Sequence, residues 1–353
     1  MRGLIDRNLF ITPAQASKIT ALSSAIDQSS LGLDQNITQE IQASVTQIIH
    51  AAWPVNFNLP LPQFTPHIQG VHNLLQFSLS VHRPEPAVML FCSSISTALA
   101  SVSTSISEEP MALSDAYMGY GRSKLVGEHI VSIARRAGAQ CYSLRIGQVS
   151  GHSKKGLWND SEALPLMIRS ALTLKVLPEL DQMCSWLPVD NLASTIVEIG
   201  RACLSNATIP VCVADQGGEG NTAMDSDSGT SAGTGMVDDS IYNVCNSREF
   251  SWSALLESLS TSGLQFQTVP FEKWIAMMRE SEARGEENIN PAVKLIEHYE
   301  AMHGKGSSLS LKRFHTDRAE RDSETLRNGR LRIIEDGILN CYARDWLSRW
   351  TTS

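Results

Sequence analysis

No stretch of this 353-residue chain is apolar for long enough to cross a bilayer, which takes roughly 20 consecutive apolar residues. Residues 1–15 lack the apolar core of a secretion signal. Basic residues are few: 29 Lys and Arg stand against 37 Asp and Glu, for a net charge of −8. A nucleic-acid-binding surface needs a concentrated basic face, so that class is excluded. The seven cysteines are odd in number and include no C-x-x-C pair, which argues against a disulfide framework and a zinc site. The nine histidines form no H-E-x-x-H pattern, the helical metal-binding spacing. Together these absences predict a soluble, cytoplasmic chain with reduced thiols, without metal, nucleic-acid or membrane partners.

The chain does have alternating strand and helix patterns, and 42% of its residues are hydrophobic. That alternation reads as α/β. Residues 44–52 form a β-branched strand ending at His50, and 67–80 carry helix-period apolar residues. The nearly continuous apolar run 86–96 suits a parallel strand covered on both faces. A helix over 120–138 with Gly138 at its end, a strand with its exit loop over 139–151, a strand over 241–246 and a helix over 251–263 capped by Ser251 follow. Residues 215–240 are rich in Gly, Ser and Asp and predict a disordered insertion. Their glycines are not a phosphate loop, because no strand precedes them and no helix follows. The last hundred residues are mostly helical by pattern.

The chemistry centres on "YGRSK", residues 120–124. Tyr120 and Lys124 lie at i and i+4, on one helix face. An ammonium near a phenol favours phenolate and lowers the phenol's pKa, so the tyrosine could trade a proton with a substrate oxygen. Alone, the spacing also fits an ordinary surface pair. Upstream, the strand "LFCSSIS" ends in Ser93 and Ser94, where sites of open α/β sheets cluster. A Ser94 hydroxyl there could share a carbonyl oxygen with Tyr120, or simply cap the strand exit. His50 reads as a hydrogen-bonded strand-end histidine, Asn73 as structural and Asp190 as a helix N-cap. Trp53 and Trp186 could line a channel or merely pack, and Arg145 could close a structural salt bridge.

At this point the chain resembles the extended short-chain dehydrogenase/reductase superfamily, specifically the thioester reductase domains of fungal NRPS-like enzymes and carboxylic acid reductases. "HAAWPVNFNLPLPQF" (50–64), "FCSSIS", "GYGRSKLVGEHI", "LRIGQVSG" and "SWLPVDNLASTIVEI" (185–199) follow in the family's order. The resemblance runs from about Ile19 to Trp350, with "WPVNFN" its most specific piece. It implies a Rossmann-like doubly wound parallel sheet, an incomplete NAD(P)-binding domain over 1–149, and a smaller, mostly helical substrate region over 150–353. It implies Ser94, Tyr120 and Lys124 as catalytic residues. Tyr120 and Lys124, with Arg145, Ile146, Gly147 and Val149, would lie near the nicotinamide of NADPH. The implied substrate is an acyl thioester on a phosphopantetheinyl carrier protein, reduced to an aldehyde in secondary metabolism.

The chain departs from the family in two places. The glycine-rich turn that brings backbone N–H groups to the pyrophosphate is missing from the sequence, which resembles the family only from just after the second strand. The family's Asp near the adenine falls at Ala25, with Asp27 two residues off register. These losses predict weak NADPH binding and an unpaired, apolar edge on the 44–52 strand, covered by the segment around residues 18–26 or by a partner chain. Three readings stay open: part of a longer reductase, a non-redox relative that releases or cyclises the acyl chain, and a non-catalytic interaction module or inactive fragment.

Overall fold

The computed structural model describes residues 9–207, 238–304, 312–329 and 331–350. Its centre is a parallel four-stranded sheet in the order β1 (Gln47–His50), β2 (Val88–Ser94), β3 (Cys141–Ile146), β4 (Ile241–Val244). The first six residues of β2 are buried. Alternate residues of a strand face opposite sides, and here they enter two different cores. Val88 and Leu90 join Leu144, Leu187, Leu192 and Ile199 on one face. Met89 and Phe91 join Val71, Leu74, Leu75 and Val131 on the other. A continuous apolar strand is what a sheet covered on both faces requires.

Two helices cover the second face, α1 (Thr65–Leu79) and α2 (Gly119–Arg136). On α1 the buried Val71, Leu74, Leu75 and Ser78 recur at three- and four-residue spacing. The opposite face is covered by α3 (Val189–Ala207), whose Leu192, Ile199 and Cys203 enter the core. Helix α2 lies unusually close to the end of β2. A Cβ at Gly121 would sit 2.6 Å from the Ser96 carbonyl oxygen, and one at Gly127 would sit 2.7 Å from the Phe91 ring. Only glycine permits that approach, which brings Tyr120 and Lys124 to the carboxyl end of β2. Past the helix, Gly138 takes a φ of 99°.

Beyond the sheet a largely helical part encloses a third core. Its elements include α4 (Ala163–Arg169), α5 (Trp252–Thr261), α6 (Phe271–Ala283), α7 (Ile296–His303) and α8 (Ile338–Trp350). Trp158, Trp186, Trp252, Trp274 and Trp346 are buried in it. The Ser251 hydroxyl caps α5 by accepting from the Ala254 N–H at 3.1 Å. The sheet side draws on residues beyond 149, since β4 and the core residues Leu192, Ile199, Ala319 and Leu326 all come from later in the chain. A division into domains at 149/150 therefore remains a proposal.

Three expectations need correction or limits. Residues 18–26 form no strand and do not pair with β1; their end is held on α1, where the Asn73 side-chain amide donates to the Ile26 carbonyl at 2.9 Å and the Gln28 carbonyl at 3.1 Å. Among the described residues β1 pairs only with β2, and Ile49 on it is 43% exposed. Asp190 is not an N-cap. Helix α3 begins at Val189, and the Asp190 carboxylate instead accepts from the Ser153 N–H at 2.9 Å and hydroxyl at 2.7 Å. The insertion expected over 215–240 lies outside the described residues up to 237. Its last residues are tied down: the Arg135 guanidinium pairs with Asp239 at 3.0 Å, and Ser132 donates to Asp238.

Candidate active site

The carboxyl ends of β2 and β3 open into a cavity of about 1170 Å³. Its walls come from both parts of the chain: the 51–58 loop, the end of β2, the start of α2 and residues 146–149 on one side, and α4, α6 and the 293–298 stretch on the other. Ser94, Tyr120 and Lys124, expected together from the sequence, all line it.

Ser94 caps the strand exit and also faces the cavity. Its Oγ accepts from the Ser96 N–H at 3.2 Å, capping the turn that leaves the strand, and it lines the cavity beside Tyr120, whose pKa its hydroxyl pulls down. Tyr120 is buried, with the Phe57 ring edge-on at 5.2 Å.

The expected lowering of the Tyr120 pKa is not what the geometry gives. Burial of the phenol raises its pKa, and the Ser94 hydroxyl offsets this only in part. Lys124 points elsewhere: its Nζ donates to the Cys92 carbonyl at 2.6 Å and sits 4.2 Å from the centre of the Trp53 ring and 4.8 Å from that of Phe91. A carbonyl and two π faces solvate this cation, yet burial still pulls its pKa down to about 7. Tyr120 therefore holds its proton at neutral pH, which suits a proton donor.

Ile146, Gly147 and Val149 line the cavity, joined by Gln148. Arg145 does not, and its expected cofactor contact is corrected here. Its neighbours Leu144 and Ile146 face the α3 side of the sheet, so the two-residue period turns Arg145 towards α2. There its Nη2 meets the Glu128 carboxylate at 2.7 Å, with the side chains 0% and 3% exposed. Its Nε also bonds both Glu128 oxygens at 3.1 Å. Glu128 in turn accepts from the Ser93 hydroxyl at 2.6 Å, fastening α2 to the end of β2 beside Ser94. Glu128 is the residue the sequence reading missed. The signal was available: Tyr120, Lys124 and Glu128 recur every four residues along one helix face.

His50 is buried, stacked on Phe91 at 5.8 Å, and its Nε2 has no hydrogen-bond partner. The expected hydrogen bond is thus absent at that nitrogen. Burial, with Lys124 and His67 nearby, pulls its pKa down to about 4. Between about 4 and the ordinary 6.5 the unfolded chain binds a proton that the folded chain refuses, so stability falls as pH drops through that window. His50→Phe should remove roughly 3 kcal/mol of that acid sensitivity, at ~1.4 kcal/mol per pKa unit. Urea unfolding at pH 7 and pH 4.5 measures it; an unchanged difference between the two pH values would clear His50.

The cavity fits the nicotinamide end of a dinucleotide better than the other end. Lys124 spends one of its three N–H donors on Cys92 and borders the cavity beside Tyr120 and residues 146–149, a donor set suited to a ribose diol. Ala25, which the resemblance places at the adenine end, offers no carboxylate: its N–H bonds the Leu31 carbonyl at 2.9 Å and it lies against Gly32.

Comparison with known proteins follows the same lines. A family model for NAD-binding domains, described as male sterility protein, matches residues 3–196. An adenylate-forming reductase, Nps10 of Heterobasidion annosum, is 31% identical over 84% of this chain and 25% of its own length. A carboxylic acid reductase of Neurospora crassa is 30% identical over 94% of this chain and 30% of its own length. The chain thus spans about a quarter to a third of these curated relatives. The solved terminal R domain from the myxalamid PKS-NRPS biosynthetic pathway superposes with a TM-score of 0.75 at 20% identity, over 99% of this chain and 79% of that one.

Proposed function

Because the chain belongs to the NAD-binding male sterility protein family, as a thioester-reductase-type member of the extended short-chain dehydrogenases/reductases, we propose that it reduces an acyl thioester carried on the phosphopantetheine arm of a carrier protein. The observation that carries this reading is that Ser94 and Tyr120 line one cavity of about 1170 Å³ together with Lys124. Both hydroxyls would hold the thioester carbonyl oxygen and stabilise the charge that develops on it. Tyr120, protonated because it is buried, gives its proton to that oxygen. Lys124 keeps a cation or a donor one turn away and reaches the ribose side of the cavity. When bound, NADPH supplies hydride to the carbonyl carbon. The resulting hemithioacetal separates into an aldehyde and the free pantetheine thiol.

The compartment that fits is the cytoplasm. All six described cysteines are free, and no helix among the described residues is long and apolar enough to cross a membrane.

NADPH affinity should be lowered by Ala25, which stands where the resemblance places an Asp. One missing charge-assisted hydrogen bond, at ~1.5–3 kcal/mol, costs about ten- to a hundredfold in Kd. The test therefore uses an octanoyl pantetheine thioester with millimolar NADPH, following thiol release and NADPH absorbance together. One thiol per NADPH consumed is expected where the aldehyde is the product, and one per two NADPH where it is reduced on to the alcohol. Thiol release without NADPH loss would point to non-redox release, and neither signal would contradict the proposal.

A further inference from the structure

A second cavity of about 350 Å³ adjoins the first. Both are bordered by Ile95, Leu99, Gly147, Gln148, His298 and Met302. Ile95 directly follows Ser94, so the junction begins one residue from the hydroxyl expected to hold the carbonyl. At the junction Gly147 abuts the far wall: a Cβ there would lie 3.0 Å from the Cys245 Sγ.

The interior of this second cavity carries no charge at neutral pH. Its deep walls include Met167, Cys184, Trp186, Cys245 and Tyr299, all buried. Burial pushes both thiols up to about 12 and pulls His303 down to about 4. The charged residues on it are peripheral or already engaged. Glu249 and Arg313 are exposed. The Lys312 ammonium donates to the Ser103 carbonyl at 2.8 Å and also to the Ser101 carbonyl. Among the remaining polar groups, the Ser185 hydroxyl is spent on the Asn246 carbonyl at 2.7 Å.

We propose that this second cavity seats the acyl tail of the substrate, and that the tail is an uncharged alkyl or aryl group rather than a charged one. The inference rests on the thioester reading above and adds the substrate class. A thioester held at Ser94 and Tyr120 has two arms. The pantetheine arm must reach solvent and its carrier, and the acyl arm passes Ile95 and Gly147 into the neutral side chamber. Met183 and Cys184 border only the second cavity, which makes them the residues that set tail length.

The test is calorimetric and needs no turnover. S-ethyl- and S-octyl-pantetheine thioethers are titrated into the full chain. Seating a methylene is worth roughly fourfold in affinity, so six set a ceiling of about 4 × 10³-fold. The octyl compound is expected to bind at least about 100-fold more tightly than the ethyl one. Met183→Trp at the half-exposed rim, and Cys184→Leu deeper in, should each cost the octyl compound about tenfold or more while leaving the ethyl compound unchanged. The rim variant leaves the core untouched, so misfolding of the deeper one does not spoil the test. Equal binding of the two compounds would overturn the tail assignment and leave the thioester reading standing. Tight octyl binding that neither variant weakens would place the tail elsewhere, and binding of neither compound would remove both readings.

Discussion

Tyr120→Phe should lower turnover of a pantetheine thioester by about 10²-fold or more, the usual cost of losing a positioned general acid. The substitution removes one oxygen and keeps the ring, whose edge-on contact with Phe57 at 5.2 Å survives. The fold should therefore be unchanged, and the loss should fall on kcat rather than on substrate binding. Ser94 would still touch the carbonyl oxygen but has no second hydroxyl to share it with. Steady-state kinetics with a circular-dichroism melt as control measures both effects. Activity within a few-fold of the parent would remove Tyr120 from the mechanism.

Arg145→Met should cost about 3–5 kcal/mol of stability, because it strands a buried carboxylate without its partner. The Glu128 side chain is 3% exposed. Of its partners only the Ser93 hydroxyl at 2.6 Å would remain. Replacing both members, Glu128→Met with Arg145→Met, should recover most of that loss, since a buried ion pair is often no more stabilising than apolar residues of the same size. Urea midpoints at constant slope report the difference. A single variant as stable as the parent would mean that this pair does not lock α2 to the sheet. The double variant should still lose activity, because the Ser93 hydroxyl would no longer be fixed beside Ser94.

Much of this was legible in the sequence. The continuous apolar run over 86–96 could only be an interior parallel strand, and its hydroxyl-rich exit marked the open end of the sheet. The Tyr120/Lys124 spacing was legible for the same local reason, whereas Ile146, Gly147 and Val149 came only from the family resemblance. What escaped depends on contacts distant in sequence. Lys124 turns to the Cys92 carbonyl 32 residues away, so its effect on Tyr120 could not be read from helical spacing. Arg145 carried two readings, a structural salt bridge from its own chemistry and a place near the nicotinamide from the resemblance; one residue of strand period decides for Glu128. Asp190 sat where a cap would be expected, but the 151–153 turn competes for its carboxylate and wins two hydrogen bonds. The second cavity joins Leu99, Met167, Cys245 and Phe314, four segments that no sequence window contains together.

The central claim is that Ser94 and Tyr120 activate a thioester carbonyl for reduction, and isotope transfer tests it most directly. The chain is incubated with octanoyl pantetheine and millimolar NADPH deuterated at the transferable position, and the product is analysed by mass spectrometry. The account predicts octanal, or octanol formed from it, with deuterium on the former carbonyl carbon, and about 10²-fold less of it with Tyr120→Phe. Octanoic acid as the product, or an aldehyde without deuterium, would contradict it.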